Sequence, residues 1–393
     1  MIRVLIVDDS AIVRAMVRQV MENDERFQIA GEASNGEAAV KNNEQLKPDL
    51  VIMDINMPIM DGIEATVRIL KTSSPVVVIF TTEDSAIMGY RCIQAGAVEV
   101  ISKPDLAAMT PGMMKLFCDR IAALGEKRAG AAAVRAVSLV SDFSKKVTGE
   151  HDRAGSVSGA ERSGLAAAET AAQTERGSSQ PSGASDGCPY LNPALSQLPG
   201  EYRMLVAGAS PGGPAALQTL LSGLGPAFPL PVLITQHIDS SFDVHFAGWL
   251  NESTGMSVEI AKEGAVPLKG HAYLAPADRH LLVKPSPDTV GGCVLTLSDD
   301  PPVHFLKPAV DKLFFSASEV FKNHTLAVLL TGMGRDGADG CKRIVEAGGY
   351  TVAESEQTCA VFGMPRAAIE CGAASAVVQL GQMPDFLRSR LGA

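Results

Sequence analysis

The sequence predicts an α/β protein: two doubly wound parallel-sheet domains joined by a flexible linker. Short apolar runs of strand type alternate with helical patterns through residues 1–122, and the alternation resumes over residues 201–393. Between them the composition shifts to Ala, Gly, Ser, Glu and Arg, and residues 156–187 are almost free of large apolar side chains. In both halves, polar residues able to do chemistry stand directly after strand-type runs, where the carboxyl ends of a parallel sheet share one edge.

In the first half, apolar runs at residues 3–7, 50–53, 76–80 and 98–101 are separated by helical spacing, as at 11–21 and 36–46. Asp8 and Asp9 follow the first run, then Asp54, Thr81 and Lys103 follow the others. Carboxylates crowded on one edge repel each other unless a divalent cation neutralises them, and oxygen donors of this kind suit Mg²⁺. Such a site would hold a phosphoryl group against Asp54 as nucleophile, with Lys103 and the Thr81 hydroxyl taking up charge on its other oxygens.

Val-Asp-Asp-Ser, Met-Asp-Ile-Asn-Met-Pro-Ile-Met-Asp-Gly, Thr81-Thr82 and Ser-Lys-Pro occur in that order, and together they resemble the response-regulator receiver domain over its whole length. The resemblance implies a flavodoxin-like fold and an Asp54 that accepts phosphate from a chemotaxis histidine kinase. It also implies Asp9 and Asp54 as direct Mg²⁺ ligands, Asp8 acting mostly through water, and the Asn56 carbonyl as a further ligand. Val100 stands where many receivers carry an aromatic switch residue.

Residues 123–200 read as a tether, with a short helix expected near 131–140 and order resuming around Tyr190. A segment so poor in apolar side chains cannot bury enough surface to offset its ordering entropy.

The second half opens on Met-Leu-Val-Ala-Gly-Ala-Ser-Pro-Gly-Gly at 204–213, followed by helical spacing: strand, tight turn, helix. A serine on such a turn projects its hydroxyl past the sheet edge, and the glycines allow close approach. His237 follows the run 231–236, and Asp336 lies just beyond the run 325–330 within Thr-Gly-Met-Gly-Arg-Asp-Gly. If these strands share one parallel sheet, a hydroxyl nucleophile, its base and the orienting carboxylate gather along one rim. His280 near Asp278, and His245, are rival histidines, and Asp239 is a rival acid. Pro211 has no N–H, so the usual oxyanion donor after the serine is missing; the amides of Gly332, Met333 and Gly334 are the first candidates. Pro211 is also expected at the first helical position.

Gly-Ala-Ser-Pro-Gly-Gly, Gln-His-Ile, Ala-Tyr-Leu-Ala-Pro-Ala-Asp-Arg-His, Lys-Pro-Ala-Val-Asp-Lys-Leu-Phe, Leu-Thr-Gly-Met-Gly-Arg-Asp-Gly-Ala and Val-Phe-Gly-Met-Pro-Arg-Ala-Ala-Ile resemble the catalytic domain of the chemotaxis response regulator methylesterases (CheB). The resemblance implies a Rossmann-like domain with Ser210, His237 and Asp336 as its triad and no cofactor at the esterase site. It further implies hydrolysis of glutamyl methyl esters, and deamidation of selected glutamines, on methyl-accepting chemoreceptors. Family members usually carry threonine where this chain has Pro211, and the tether is longer than usual.

Composition narrows the alternatives. A chain of 393 residues exceeds one ordinary core, and 46% apolar residues fill two. The formal charge of −10 leaves no evident basic face for nucleic acid, and no basic recognition helix follows the receiver motifs. The N-terminal apolar run is cut short by carboxylates and no 18-residue apolar stretch occurs, so a cytoplasmic protein without direct membrane insertion is expected. Seven scattered cysteines without a C-x-x-C pair fit reduced thiols. The competing class is a binding module whose second domain holds a nucleotide or phosphorylated ligand on the 208–213 turn.

Overall fold

The computed structural model describes residues 1–82, 86–103, 110–126, 190–191, 202–238 and 242–391. Most of the 123–200 stretch, the helix expected at 131–140 and Asp239 lie outside the described residues.

The first sheet is built from β1 (Ile2–Val7), β2 (Phe27–Ala33), β3 (Leu50–Met53), β4 (Val76–Thr81) and β5 (Glu99–Ser102), all parallel, in the order β2-β1-β3-β4-β5. That is the flavodoxin-like order, with its switch point beside β1 and β3. The helices are α1 (Ala11–Glu22), α2 (Gly36–Leu46), α3 (Gly62–Thr72), α4 (Ala86–Gln94) and α5 (Pro111–Gly125). Their starts are written locally: the side chains of Ser10, Asn35 and Asp61 accept the N–H groups of Val13, Ala38 and Glu64. Central strands β3 and β4 are buried at every position, as a sheet covered on both faces requires.

The second sheet has eight strands. They are β6 (Tyr190–Leu191), β7 (Met204–Ala209), β8 (Val232–Gln236), β9 (Ser257–Ile260), β10 (His271–Leu274), β13 (Thr325–Leu329), β14 (Tyr350–Glu354) and β15 (Ala376–Val378). The order is β6-β15-β14-β13-β7-β8-β10-β9, parallel throughout except for β6, which pairs antiparallel with β15. A separate hairpin pairs β11 (His280–Pro285) with β12 (Cys293–Ser298). The covering helices are α6 (Gly213–Leu224), α7 (Asp243–Thr254), α8 (Val310–Phe321), α9 (Ala338–Glu346), α10 (Met364–Glu370) and α11 (Met383–Ser389). Strands later than β7 lie on both sides of it, β8, β10 and β9 on one and β13, β14 and β15 on the other, so β8, β7 and β13 are neighbours at the topological switch point.

One expectation is corrected here. Helix α6 begins at Gly213 with Pro214 in its first turn, so Pro211 is not the first helical residue. Pro211 lies in the preceding turn, which reverses through Gly212 at φ +82°. A Cβ on Gly212 would also stand 2.4 Å from that of Ala360, so glycine is required twice over.

The two sheets' helices meet. Tyr90 of α4 is fully buried against α7, its ring 5.1 Å from that of Phe246 and 5.4 Å from that of Trp249. In a second contact, Met333, Ala360 and Val361 of the second sheet's loops share an apolar cluster with Phe80, Ile101 and Phe117 of the first. No described helix is long and apolar enough to cross a membrane.

Candidate active site

Ser210 ends β7, His237 ends β8 and Asp336 lies in the loop after β13, so adjacent parallel strands deliver all three to one rim. Ser210 Oγ is 2.9 Å from His237 Nδ1, and His237 Nε2 is 2.8 Å from Asp336 Oδ2. With the Nε2 proton donated to the carboxylate, Nδ1 is left as the acceptor for the serine hydroxyl. Gln236 braces the pair by donating from Nε2 to the carbonyls of Ser210 and His237 at 3.1 and 3.0 Å. Ser210 is 6% exposed and Asp336 1%. Burial alone would push the Asp336 carboxyl up. The His237 contact and the N–H groups of Asp311 and Val310 outweigh it and hold the group below the ordinary carboxylate value.

Those N–H groups belong to the first turn of α8: Val310 N donates to Asp336 Oδ2 at 2.7 Å and Asp311 N to Oδ1 at 3.0 Å. The triad-like carboxylate thus caps a helix from outside its own sequence, in the favourable end of that helix's dipole. The rival His280 is spent structurally, its Nδ1 accepting Ala309 N at 3.1 Å and its Nε2 donating to the Pro301 carbonyl at 3.2 Å. His245 sits in the first turn of α7. Of the three candidate oxyanion amides, Gly332 is committed to the Val361 carbonyl at 2.9 Å. Met333, the sequence's preferred position, lies in the apolar cluster against the first domain.

At the edge of the first sheet, Lys103 Nζ is 2.7 Å from Asp8 Oδ2 and 2.8 Å from Asp54 Oδ1. Oxygens of Asp8, Asp9 and Asp54 all lie within 4.8 Å of one another, a spacing one divalent ion can bridge. Burial raises the Asp54 carboxyl above its ordinary value, against the opposing pull of Lys103. Thr81 Oγ is buried without a hydrogen-bond partner among the described residues, so its donor is free to meet a phosphoryl oxygen. Asn56 is exposed on the loop after Asp54. A Cβ on Gly62 would reach within 2.0 Å of the Asp54 carbonyl, which explains the glycine closing the Asp-Gly pair of that motif.

Two residues escaped the sequence reading. Glu99, fully buried on β5, accepts the N–H of Gly212 at 2.7 Å through Oε2, while its Oε1 stands 3.2 Å from Arg120 of α5. Asp311 accepts Gly337 N at 3.0 Å and Gly340 N at 2.7 Å, both through Oδ1. Neither could be found from local pattern, since each acts on a partner remote in sequence.

Fold and geometry define a class: a receiver-type domain followed by an α/β domain with a serine, a histidine and an aspartate hydrogen-bonded in series at its sheet edge. The family model described as CheB methylesterase matches residues 205–387, and that of the response regulator receiver domain matches residues 4–110. A protein-glutamate methylesterase/protein-glutamine glutaminase of Anaeromyxobacter dehalogenans is 34% identical, over 98% of this chain and 96% of that protein. One from Vibrio vulnificus is also 34% identical, covering 98% and 97%. Among solved structures, the Thermotoga maritima CheB methylesterase catalytic domain is 35% identical over 48% of this chain and 97% of that one, with a TM-score of 0.46. The chain belongs to the protein-glutamate methylesterase/protein-glutamine glutaminase family, the CheB methylesterases.

Proposed function

We propose that this protein is a phosphorylation-activated serine hydrolase that removes methyl esters from glutamyl side chains of methyl-accepting chemoreceptors, and deamidates selected glutamines there, in the cytoplasm. The observation that supports it most is the Ser210–His237–Asp336 series, continuous at hydrogen-bond distance.

His237 Nδ1 takes the hydroxyl proton as Ser210 Oγ attacks the ester carbonyl, while Asp336 stabilises the imidazolium through Nε2–H. The tetrahedral intermediate collapses, the C–O bond to the methoxy group breaks, and His237 returns the proton so that methanol leaves. Water repeats the sequence on the acyl-serine and releases the glutamate carboxylate. Met333 N–H is the candidate oxyanion donor.

Residues 1–122 act as the receiver, 123–200 as the tether and 201–393 as the catalytic domain. Asp54 accepts phosphate from a histidine kinase, and Lys103 and Thr81 hold the phosphoryl oxygens. Asp8, Asp9, Asp54 and the Asn56 carbonyl would hold Mg²⁺, which when bound neutralises charge on the transferring phosphoryl group. The Glu99–Gly212 hydrogen bond and the Tyr90 cluster belong to a closed arrangement in which Ser210 is nearly inaccessible. Phosphorylation at Asp54 shifts the population toward an open one. The test of gating is methanol release with and without a small phosphodonor: stimulation is expected, and indifference contradicts it.

A further inference from the structure

Helices α8 and α9 both begin without a side-chain cap of their own. Each is capped by a carboxylate belonging to the other's approach. Asp336, just ahead of α9, takes the first two N–H groups of α8, while Asp311, in the first turn of α8, takes the N–H groups of Gly337 and Gly340 at the start of α9. The exchange locks the loop bearing Asp336 to the helix that orients it. Packing allows little slack. A Cβ on Gly340 would stand 2.5 Å from that of Phe314, and one on Gly337, at φ +90°, would stand 2.5 Å from Leu329 Cδ1.

We propose that Asp311 is a positioning residue for the hydrolytic reaction: through the exchanged caps it sets the place of Asp336, and its charge acts on the relay from behind. The inference rests on Ser210, His237 and Asp336 being the catalytic series. A carboxylate that served only as a cap could be replaced by an amide without consequence, because an asparagine oxygen accepts the same two N–H groups. A carboxylate whose charge reaches the relay could not. The groups facing Asp311 are Asp336, Asp339 and Cys341, with His304 close by. His280 lies beneath the start of α8, Arg335 is paired to Asp339, and Lys312 on α8 is turned to Asp300. No cation among these pairs with Asp311, so its charge adds to that of Asp336. Burial and that neighbouring charge push the Asp311 carboxyl up to about 7, so its charge is carried mainly above that pH.

The test is the second-order rate of Ser210 labelling by a fluorophosphonate across pH 5 to 9, on the full chain treated with a small phosphodonor; this reads the relay without needing the receptor. In Asp311→Asn the two caps remain, so the rate below about pH 6, where the wild-type carboxyl is itself protonated, stays with wild type. The plateau above about pH 7 falls by about threefold or more, because the negative charge that steadies the imidazolium is gone. In Asp311→Ala two N–H groups lose their acceptor, the loop relaxes, and the plateau falls by about tenfold or more. An Asp311→Asn profile superimposable on wild type overturns the action of the charge on the relay and remains decisive if the alanine variant does not fold. A folded Asp311→Ala protein with the wild-type plateau overturns positioning through the caps. A wild-type chain that never labels at Ser210 overturns the catalytic reading and this inference with it.

Discussion

The carboxylate of Glu99 accepts the backbone N–H of Gly212 at 2.7 Å, so a residue of the receiver's last strand is hydrogen-bonded to the turn two positions beyond Ser210. Arg120, 3.2 Å from the other oxygen, keeps the charge on a nearly inaccessible Glu99 compensated.

Glu99→Gln should therefore loosen the closed state without harming the relay. A charge-assisted hydrogen bond becomes a neutral one, a loss of about 1 kcal/mol. Methanol release by the unphosphorylated protein should rise about fivefold. The phosphorylated rate should stay as it is. An unchanged basal rate would remove Glu99 from the closure.

Tyr90→Ala attacks the same interface from its apolar side. The ring is 1% exposed and lies among Phe242, Phe246 and Trp249. Its loss should cost about 2–4 kcal/mol of contact and raise the basal rate more than Glu99→Gln does. The Tyr90 and Trp249 truncations should be non-additive in a double-mutant cycle, with a coupling of about 0.5–1.5 kcal/mol. Full additivity would mean that the rings do not work as one contact.

The placement of Ser210, His237 and Asp336 was legible because a parallel sheet turns sequence pattern into position: a polar residue after each apolar run must lie on one rim, and these three do. The choice of His237 over His280 was open, since both follow or begin strand-type segments. It took the Ala309 and Pro301 partners of His280 to assign that ring a structural task. Glu99 was invisible because a charged residue opening an edge strand reads as solvated until a second domain covers it. Asp311 was visible only as part of a resemblance, because its role depends on where α9 begins, 26 residues away. The start of α6 was misjudged at Pro211 because a second proline, Pro214, was available to open the helix.

Stability should carry a signature of Asp311. Its carboxyl is raised from an ordinary 3.8 to about 7 by burial first and by Asp336 second. The native state therefore retains a proton that the unfolded chain gives up. Stability is fully present below about pH 4 and is lost as pH rises through about 7. Between pH 5 and pH 8, the melting temperature of wild type should fall further than that of Asp311→Asn. Equal falls would contradict the raised value.

Gly208 lies in β7 where a Cβ would stand 2.3 Å from Val310 Cγ1. Gly208→Ala should displace the residue whose N–H holds Asp336, with a cost of about 1–3 kcal/mol in chemical denaturation. Activity should drop further than Tm alone explains. Retained activity in a destabilised protein would show that Val310 can move without disturbing the carboxylate.

The central claim is tested most directly by methanol release from methyl-esterified receptor after activation with a small phosphodonor, comparing wild type with Ser210→Ala. Loss of the nucleophile should lower the rate by about three orders of magnitude or more, with the melting temperature preserved. An undiminished rate in a folded Ser210→Ala protein would contradict the account.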